Sequence, residues 1–219
     1  MKVSLFLKKD KPSTEEVIKY LKDHFKDIRI YTGSNGDPFP KTAYSKNPGL
    51  VISYLSPWII PKEILNKAKP GAVNFHPGPP EYPGIGCFNF AIYNNETSYG
   101  VTVHKMHEKV DRGEIIGVKR FSLKGSDSVY KLSLKSYKHM LSLFYKVMNY
   151  IVKHNDFPVS SECWKRKPYR RWELEELCKL EAKMTKKEIA RRIKATTYPN
   201  MSGAYLEAAG YRFEYKPNQ

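Results

Sequence analysis

The chain has 219 residues, of which 38 are Lys or Arg and 22 are Asp or Glu, so its formal net charge is +16. Hydrophobic residues make up 41% of the sequence, which is enough to build a core and argues against a disordered chain. No apolar run approaches the roughly 20 residues of a membrane-spanning helix. The run between Lys2 and Lys8 is too short for a signal-peptide core. We therefore predict a globular, cytoplasmic protein that favours anionic partners.

Hydrophobic periodicity divides the first 155 or so residues into alternating strands and helices. Strands are predicted over residues 2–7, 28–31, 50–55, 72–76, 100–106 and 114–123. Helices are predicted over residues 14–25, 61–67, 86–94, 129–151 and, later in the chain, 186–194. This alternation predicts an α/β fold, a Rossmann-like open and mostly parallel sheet with helices on both faces.

The stretch FPVSS at residues 157–161 marks a predicted boundary. It divides the chain into a domain of residues 1–157 and a small helix/strand extension of residues 158–219. The extension holds the densest basic clusters, WKRKPYRR and KKEIARRIK. These clusters fit either a phosphate-binding segment or a solvated surface. Two capping boxes are also predicted, Ser13 with Glu16 and Thr185 with Glu188.

Asn74 and His76 form the most informative local pattern. They stand two residues apart on a predicted strand and so point to the same face. The strand must stop at the prolines that follow His76, and ligands of open α/β sheets bind beyond the carboxyl ends of strands. The pair would there combine an amide donor with an imidazole acid/base, or would form an ordinary hydrogen-bonded strand end. Asp111 lies in a predicted tight turn that either approaches this strand end or is a plain turn.

Metal and thiolate chemistry are weaker alternatives. His104 and His107 could chelate one metal only if the chain bends between them, and the cysteines show no zinc spacing, so we predict no metal. Cys87 is predicted to be a small buried packing residue rather than an activated thiolate.

The segment VNFHPGPPEYPGIGCFNFAIYNNETSYGVTVHKMHEKVDRGEIIG, residues 73–117, closely resembles the formyltransferase family that uses 10-formyltetrahydrofolate. LVISYLSPWIIPKEIL before it and ATTYPNMSGAY after it extend the resemblance. Within it, the segment FHPGPPEYPGIGCFNFAIYN is most similar to the branch that formylates nucleotide-linked amino sugars.

The resemblance implies that Asn74, His76 and Asp111 are the catalytic residues. It implies transfer of a formyl group from 10-formyltetrahydrofolate, a co-substrate, to the amine of a nucleotide-linked sugar, dTDP-4-amino-4,6-dideoxyhexose. The chemistry agrees, because attack by an amine creates an oxyanion that Asn74 and protonated His76 can bind. The amine must also lose a proton, which His76 or a water can accept while Asp111 orients the imidazole or the water.

The resemblance also implies the binding residues. The folate is predicted to bind Ser53, Leu55, Trp58, Ile59, Ile60, Val110 and Gly113. The nucleotide sugar is predicted to bind residues near the catalytic strand and in the extension: Pro79, Glu81, Tyr82, Trp164, Arg166, Arg191, Tyr198 and Asn200. Arg166 and Arg191 are the predicted diphosphate contacts. The same resemblance implies a homodimer that serves lipopolysaccharide O-antigen synthesis, with neither a membrane nor a nucleic acid as partner.

Two other functions stay open at this point. One is formylation of phosphoribosylglycinamide, and the other is a non-catalytic basic RNA-binding protein on the same scaffold. The residues after Pro158 are too few for the large tRNA-binding domain of methionyl-tRNA formyltransferases, which argues against a tRNA substrate.

Overall fold

The computed structural model describes residues 1–44 and 47–216. A six-stranded sheet has the order β2-β1-β3-β4-β5-β6. Its first four strands in this order run parallel, whereas β5 is antiparallel to both β4 and β6. The strands are β1 Lys2–Lys8, β2 Asp27–Gly33, β3 Leu50–Tyr54, β4 Ala72–His76, β5 Ser98–Lys105 and β6 Ile115–Ser122. The predicted fold class is confirmed.

Alternation along the strands builds a core on each face of the sheet. On β1, Val3 and Leu5 pack in the cluster that contains the long helix, whereas Phe6 packs on the opposite face with Ile64. Because side chains of a strand alternate between faces, one apolar strand supplies both cores. The helices of this part of the chain are α1 Thr14–His24, α2 Lys62–Lys67, α3 Cys87–Tyr93 and α4 Val129–His154.

The helix α4 is the largest element against the sheet. It begins where Ser128 accepts a hydrogen bond from the backbone N–H of Lys131, as expected for a helix cap. Phe144 at its centre is 0% exposed. Its ring centroid lies 5.8 Å from that of Tyr54 on β3 and 5.3 Å from that of Phe75 on β4. Within the part of the chain that the structure describes, neither this helix nor any other is long and apolar enough to cross a bilayer.

The C-terminal residues add a second small sheet and two helices. They are α5 Arg171–Cys178, β7 Lys179–Leu180, α6 Lys186–Thr196, β8 Tyr205–Ala208 and β9 Tyr211–Glu214. Thr185 caps α6 through the N–H of Glu188, as predicted. The predicted cap at Ser13 is wrong, because Ser13 has a φ of 67° and its side chain makes no cap hydrogen bond. The helix α5, in which half of the residues are charged, was not predicted.

Replacing Phe144 by Ala tests the central packing. The substitution leaves a cavity between α4 and the sheet, so we expect a loss of about 3–5 kcal/mol in the free energy of unfolding, measured with urea. Val152→Ala is the control, because Val152 is 42% exposed on the same helix and should change stability by less than about 0.5 kcal/mol. Equal losses in the two variants would contradict this account of the core.

Candidate active site

A row of polar side chains crosses three strands on one face of the sheet. Asn74 on β4 is paired in register with Ser53 on β3 and with His104 on β5. Val51 and Ala72, two residues earlier on their strands, pack against the α2 side of the sheet. The helix α2 has only six residues. The apolar packing on this face therefore gives way to polar residues further along the strands.

The carboxylate of Asp111 reaches this face from the turn after β5. One oxygen, Oδ2, lies 3.4 Å from Nδ1 of His76 and accepts a hydrogen bond of 2.8 Å from the backbone N–H of Gly84. The other, Oδ1, lies 3.1 Å from Nε2 of His104 and 3.5 Å from Nδ2 of Asn74. The structure thus brings the three predicted catalytic residues together and adds His104 and Gly84 to them.

The turn that brings Asp111 to this face of the sheet has an unusual backbone conformation. Asp111 has a φ of 46°, in the left-handed region. Gly113 lies so close to β5 that a Cβ on it would be 1.8 Å from the carbonyl oxygen of Lys105. A glycine is required at this position because any side chain would push the turn away from the strand.

Both imidazoles are oriented by backbone carbonyls. Nε2 of His76 lies 2.9 Å from the carbonyl of Tyr82, and Nδ1 of His104 lies 2.8 Å from the carbonyl of Lys105. A carbonyl can only accept, so each of these nitrogens carries a proton and donates. The second nitrogen of each ring therefore faces Asp111. A proton held there would be donated to the carboxylate.

Burial and charge act against each other on Asp111. Its side chain is 4% exposed, and those of His76 and His104 are 6% and 3% exposed. Burial alone raises the pKa of Asp111, but the charge of His76, the contact with His104 and the Gly84 N–H outweigh it. The pKa of Asp111 is therefore held well below its usual range, and the site contains a buried negative charge at neutral pH.

A cleft of about 420 Å³ opens beside these residues, and all three predicted catalytic side chains line it. Six of the seven predicted folate residues also line it: Ser53, Leu55, Trp58, Ile59, Ile60 and Val110. The seventh, Gly113, is not among the lining residues, and its carbonyl accepts a hydrogen bond of 2.8 Å from Nε1 of Trp164. Further lining residues that sequence reasoning did not identify include Lys8, Lys11, Asn35, Met106 and Tyr137.

The wall of the cleft at Trp58 depends on two neighbours. Nε1 of Trp58 donates to the carbonyl of Asp37 at 2.9 Å. Gly33, at the end of β2, lies under the ring, and a Cβ there would be 2.2 Å from the indole. The hydrogen bond thus fixes the indole, and the lack of a side chain at Gly33 leaves room for it.

Of the residues predicted to bind the nucleotide sugar, four lie in the loop after β4 or contact the candidate site. Trp164 crosses the rings of His104 and His76 edge-on, with centroid distances of 5.1 and 6.0 Å. Tyr82 supplies the carbonyl that orients His76, and Pro79 accepts from the N–H of Tyr82. Glu81 is paired with Arg120 at 3.1 Å. Trp164 and Tyr82 thus contact the candidate site directly, and the contact of all four residues with a substrate stays a prediction.

The other four lie further along the C-terminal segment. Arg166 stacks on Tyr169, with its guanidinium carbon 3.1 Å from the ring centroid. Arg191 lies over the ring of Tyr93 at 3.8 Å and donates to the carbonyl of that residue. The remaining two are Tyr198, whose hydroxyl is 3.3 Å from that of Ser133, and Asn200, which is exposed. None of the four lines the cleft, and their role in nucleotide binding stays a prediction.

The side chain of Cys87 is buried, as predicted. Burial raises the pKa of its thiol to about 12. The thiol is therefore protonated at neutral pH, which is the reverse of what an activated nucleophile needs.

His104 and Gly84 are the parts of the site that were not among the predicted catalytic or binding residues, although the resemblance marks His104 as typical of the family, in a structural or a catalytic role. His104 could have been recognised as a neighbour of Asn74 only by knowing that β5 pairs antiparallel with β4. Gly84 contributes a backbone group, which carries no side-chain signal in a sequence.

Comparison with known proteins agrees with this fold. Residues 43–147 match the sequence model of the family described as Formyl transferase. A methionyl-tRNA formyltransferase of Ehrlichia ruminantium is 34% identical over 90 residues, which are 41% of this chain and 30% of the relative. A GDP-perosamine N-formyltransferase of Brucella melitensis is 31% identical over 109 residues, which are 49% of this chain and 42% of the relative. The chain therefore covers less than half the length of these relatives.

Two solved structures share the fold over nearly the whole chain. A sugar N-formyltransferase from a Shewanella species has a TM-score of 0.77 at 19% identity and covers 99% of this chain and 97% of its own. The N-formyltransferase of Helicobacter canadensis, in complex with folinic acid and dTDP-3-aminofucose, has a TM-score of 0.76 at 20% identity and covers 96% and 85%.

The fold and the candidate site together define an α/β protein with a buried carboxylate between two imidazoles. Asn74, His76 and Asp111 all lie within the residues that match the family model. Residues 43–147 are therefore similar to the formyl transferase family, as the resemblance in the sequence predicted.

Replacing Asp111 by Asn tests the electrostatics of the site through stability. The native pKa of Asp111 lies below the unfolded value, so its contribution is present above about pH 4 and is lost as the pH falls through the native pKa. We expect Asp111→Asn to destabilise the protein by roughly 1.5–3 kcal/mol at pH 7. The difference from wild type should shrink by about 1 kcal/mol between pH 5 and pH 3 in urea unfolding.

The control for this experiment is Asp23→Asn, because Asp23 is exposed on α1. Its effect on stability should be small at both pH values. A difference between Asp111→Asn and wild type that stayed constant from pH 7 to pH 3 would overturn the buried negative charge.

Proposed function

We propose that this protein transfers the formyl group of 10-formyltetrahydrofolate to the amino group of a nucleotide-linked amino sugar. The observation that carries the proposal is the contact of Asp111 with His76 and Asn74 at a cleft of about 420 Å³. The likeness in fold and length to the Shewanella sugar N-formyltransferase supports it.

The lining of the cleft fits a folate. Leu55, Trp58 and Ile60 offer apolar walls for a flat pterin ring. Lys8 and Lys11 line the same cleft and carry positive charge that complements the carboxylates of the glutamate tail. When bound, the folate supplies the formyl carbonyl that the sugar amine attacks.

Each side chain of the site then has its own role in the reaction. Asn74 can donate from Nδ2 to the carbonyl oxygen as negative charge develops on it. His76 can accept the proton that the amine loses and return it to N10 of the folate, whose bond to the formyl carbon breaks as tetrahydrofolate leaves. The Tyr82 carbonyl and Asp111 hold the ring on either side. Asp111 stabilises a proton on the nitrogen of His76 that faces it, and His104 orients Asp111 from the opposite side.

The finer parts of the proposal concern the substrate and the setting. We take dTDP-4-amino-4,6-dideoxyhexose as the first substrate to test, with residues 1–157 as the catalytic domain and residues 158–219 contributing to nucleotide-sugar binding. The Helicobacter structure, with dTDP-3-aminofucose bound, supports a dTDP sugar, whereas the Brucella relative is named for a GDP sugar. A cytoplasmic homodimer that serves O-antigen synthesis is part of the same proposal and rests on the sequence resemblance.

A panel of amine substrates tests the function. The purified protein is incubated with 10-formyltetrahydrofolate and, in separate reactions, dTDP-4-amino and dTDP-3-amino sugars, GDP-perosamine, phosphoribosylglycinamide and methionyl-tRNA. We expect the mass gain of one formyl group on a nucleotide sugar. Formylation confined to methionyl-tRNA or to phosphoribosylglycinamide would overturn the proposed substrate class. If none of the amines is formylated, the proposal that the protein is a formyltransferase is overturned.

His76→Ala tests the assigned proton transfer. Removing the imidazole should lower kcat by about 10²–10⁴-fold while leaving the KM values within a few-fold. The matched control is His154→Ala, because His154 is exposed at the end of α4 and should leave kcat unchanged. Near-normal turnover of His76→Ala would remove His76 from the chemistry.

A further inference from the structure

A second cavity, of about 610 Å³, lies on the other side of the Asp111 turn. Its walls come from the turn itself, from Gly84 and Ile85, and from the segment 166–173. Val110 lines both this cavity and the catalytic cleft, and the N–H of Gly84 donates to Asp111 at 2.8 Å. We call this cavity the basic groove. One turn of chain separates it from the reaction centre.

The charge of the groove is nearly all positive. One carboxylate, that of Glu173, lines it, and that carboxylate is already bound by Arg166 at 3.2 Å and by the backbone N–H of Arg170 at 2.7 Å. Among the residues that the structure describes, the groove's other five cations form no ion pair: Lys109, Arg112, Lys167, Arg170 and Arg171. Five cations that form no ion pair, around a cavity with one carboxylate, favour a ligand with several negative charges.

The groove also offers a flat apolar surface. The indole of Trp172 follows Arg170 and Arg171 directly and is 63% exposed. A guanidinium group can bind two phosphate oxygens at once through parallel hydrogen bonds. An exposed indole beside such groups is a stacking surface for a nucleobase. A nucleoside diphosphate presents both features, two adjacent phosphates and one aromatic ring.

The wall of the groove is joined to the reaction centre by backbone hydrogen bonds. The N–H of Ile85 donates to the carbonyl of Tyr169 at 3.0 Å, and the N–H of Tyr169 donates to that of Pro83 at 2.9 Å. A Cβ on Gly84 would lie 2.3 Å from the Tyr169 carbonyl, so only glycine fits this contact. The same Gly84 holds Asp111, and the groove is therefore fixed relative to the catalytic carboxylate.

We propose that the basic groove binds the nucleoside diphosphate portion of the substrate, with Arg112 and Arg171 on the phosphates and Trp172 on the base. This inference rests on the proposed function and makes it more specific. It adds Arg112 and Arg171 to the predicted diphosphate contacts, and it adds Trp172 as the stacking surface for the base.

Calorimetric titration of the full chain with dTDP and with GDP tests the groove without any need for turnover. The double variant Arg112→Gln/Arg171→Gln should raise the Kd of at least one of these nucleotides about tenfold or more. The control Lys22→Gln/Lys153→Gln removes the same charge from exposed positions elsewhere and should stay within about twofold. Trp172→Ala should weaken nucleotide binding but leave the binding of inorganic pyrophosphate unchanged.

Several results would overturn the groove as a nucleotide site. The first is an unchanged Kd in the double variant, and the second is an equal loss of affinity in the control variant. The third is a wild-type protein that binds neither dTDP nor GDP but binds a short RNA with an affinity that falls steeply with salt. The two proposals fail separately. Sugar formylation with an unchanged KM in the double variant rejects the groove alone, whereas groove-dependent dTDP or GDP binding without formylation of any sugar rejects the proposed function alone.

Discussion

The contact between the carboxylate of Asp111 and the two imidazoles is the interaction on which the site depends. A carboxylate that is 4% exposed would be strongly destabilising without partners. Its partners come from three places, His76 on β4, His104 on β5 and the N–H of Gly84 in the loop after β4. Satisfying one buried charge therefore holds three segments in a fixed arrangement, and the groups that would meet a substrate are held rigidly before it binds.

The reversal of strand direction at β5 decides how Asp111 arrives. Because β5 runs antiparallel to β4, it ends beside the beginning of β4, where the N–H of Met106 donates to the carbonyl of Ala72 at 2.7 Å. The turn must then run back over the face that carries Asn74 and His76. The left-handed backbone of Asp111 and the close approach of Gly113 allow that return. The strain of the turn is thus a consequence of topology, and the contacts of the carboxylate compensate for it.

Much of this arrangement could be predicted from sequence where the signal is local. The spacing of Asn74 and His76 fixed their common face, and the apolar strands and the Thr185 cap are local as well. Asp111 was assigned only through the family resemblance, because its neighbours are distant in sequence. His104 required the pairing of β5 with β4, which no periodicity reveals. At Ser13 the capping pattern was present, but the backbone there is left-handed and the side chain cannot reach the helix N–H groups.

The positive charge of the chain points to an anion-binding site only where the cations form no ion pair with a carboxylate. Arg120 illustrates the opposite case, because it bridges Glu81 and Glu162 at 3.1 and 3.0 Å, and Arg192 is paired with Glu188 at 2.8 Å. Exposed pairs of this kind contribute little to stability and leave little field for a ligand. Among the described residues, the five cations of the basic groove that form no ion pair lie instead on a wall hydrogen-bonded to the candidate site. The local distribution of carboxylates thus locates the uncompensated positive charge, which the net charge of +16 from the sequence does not do.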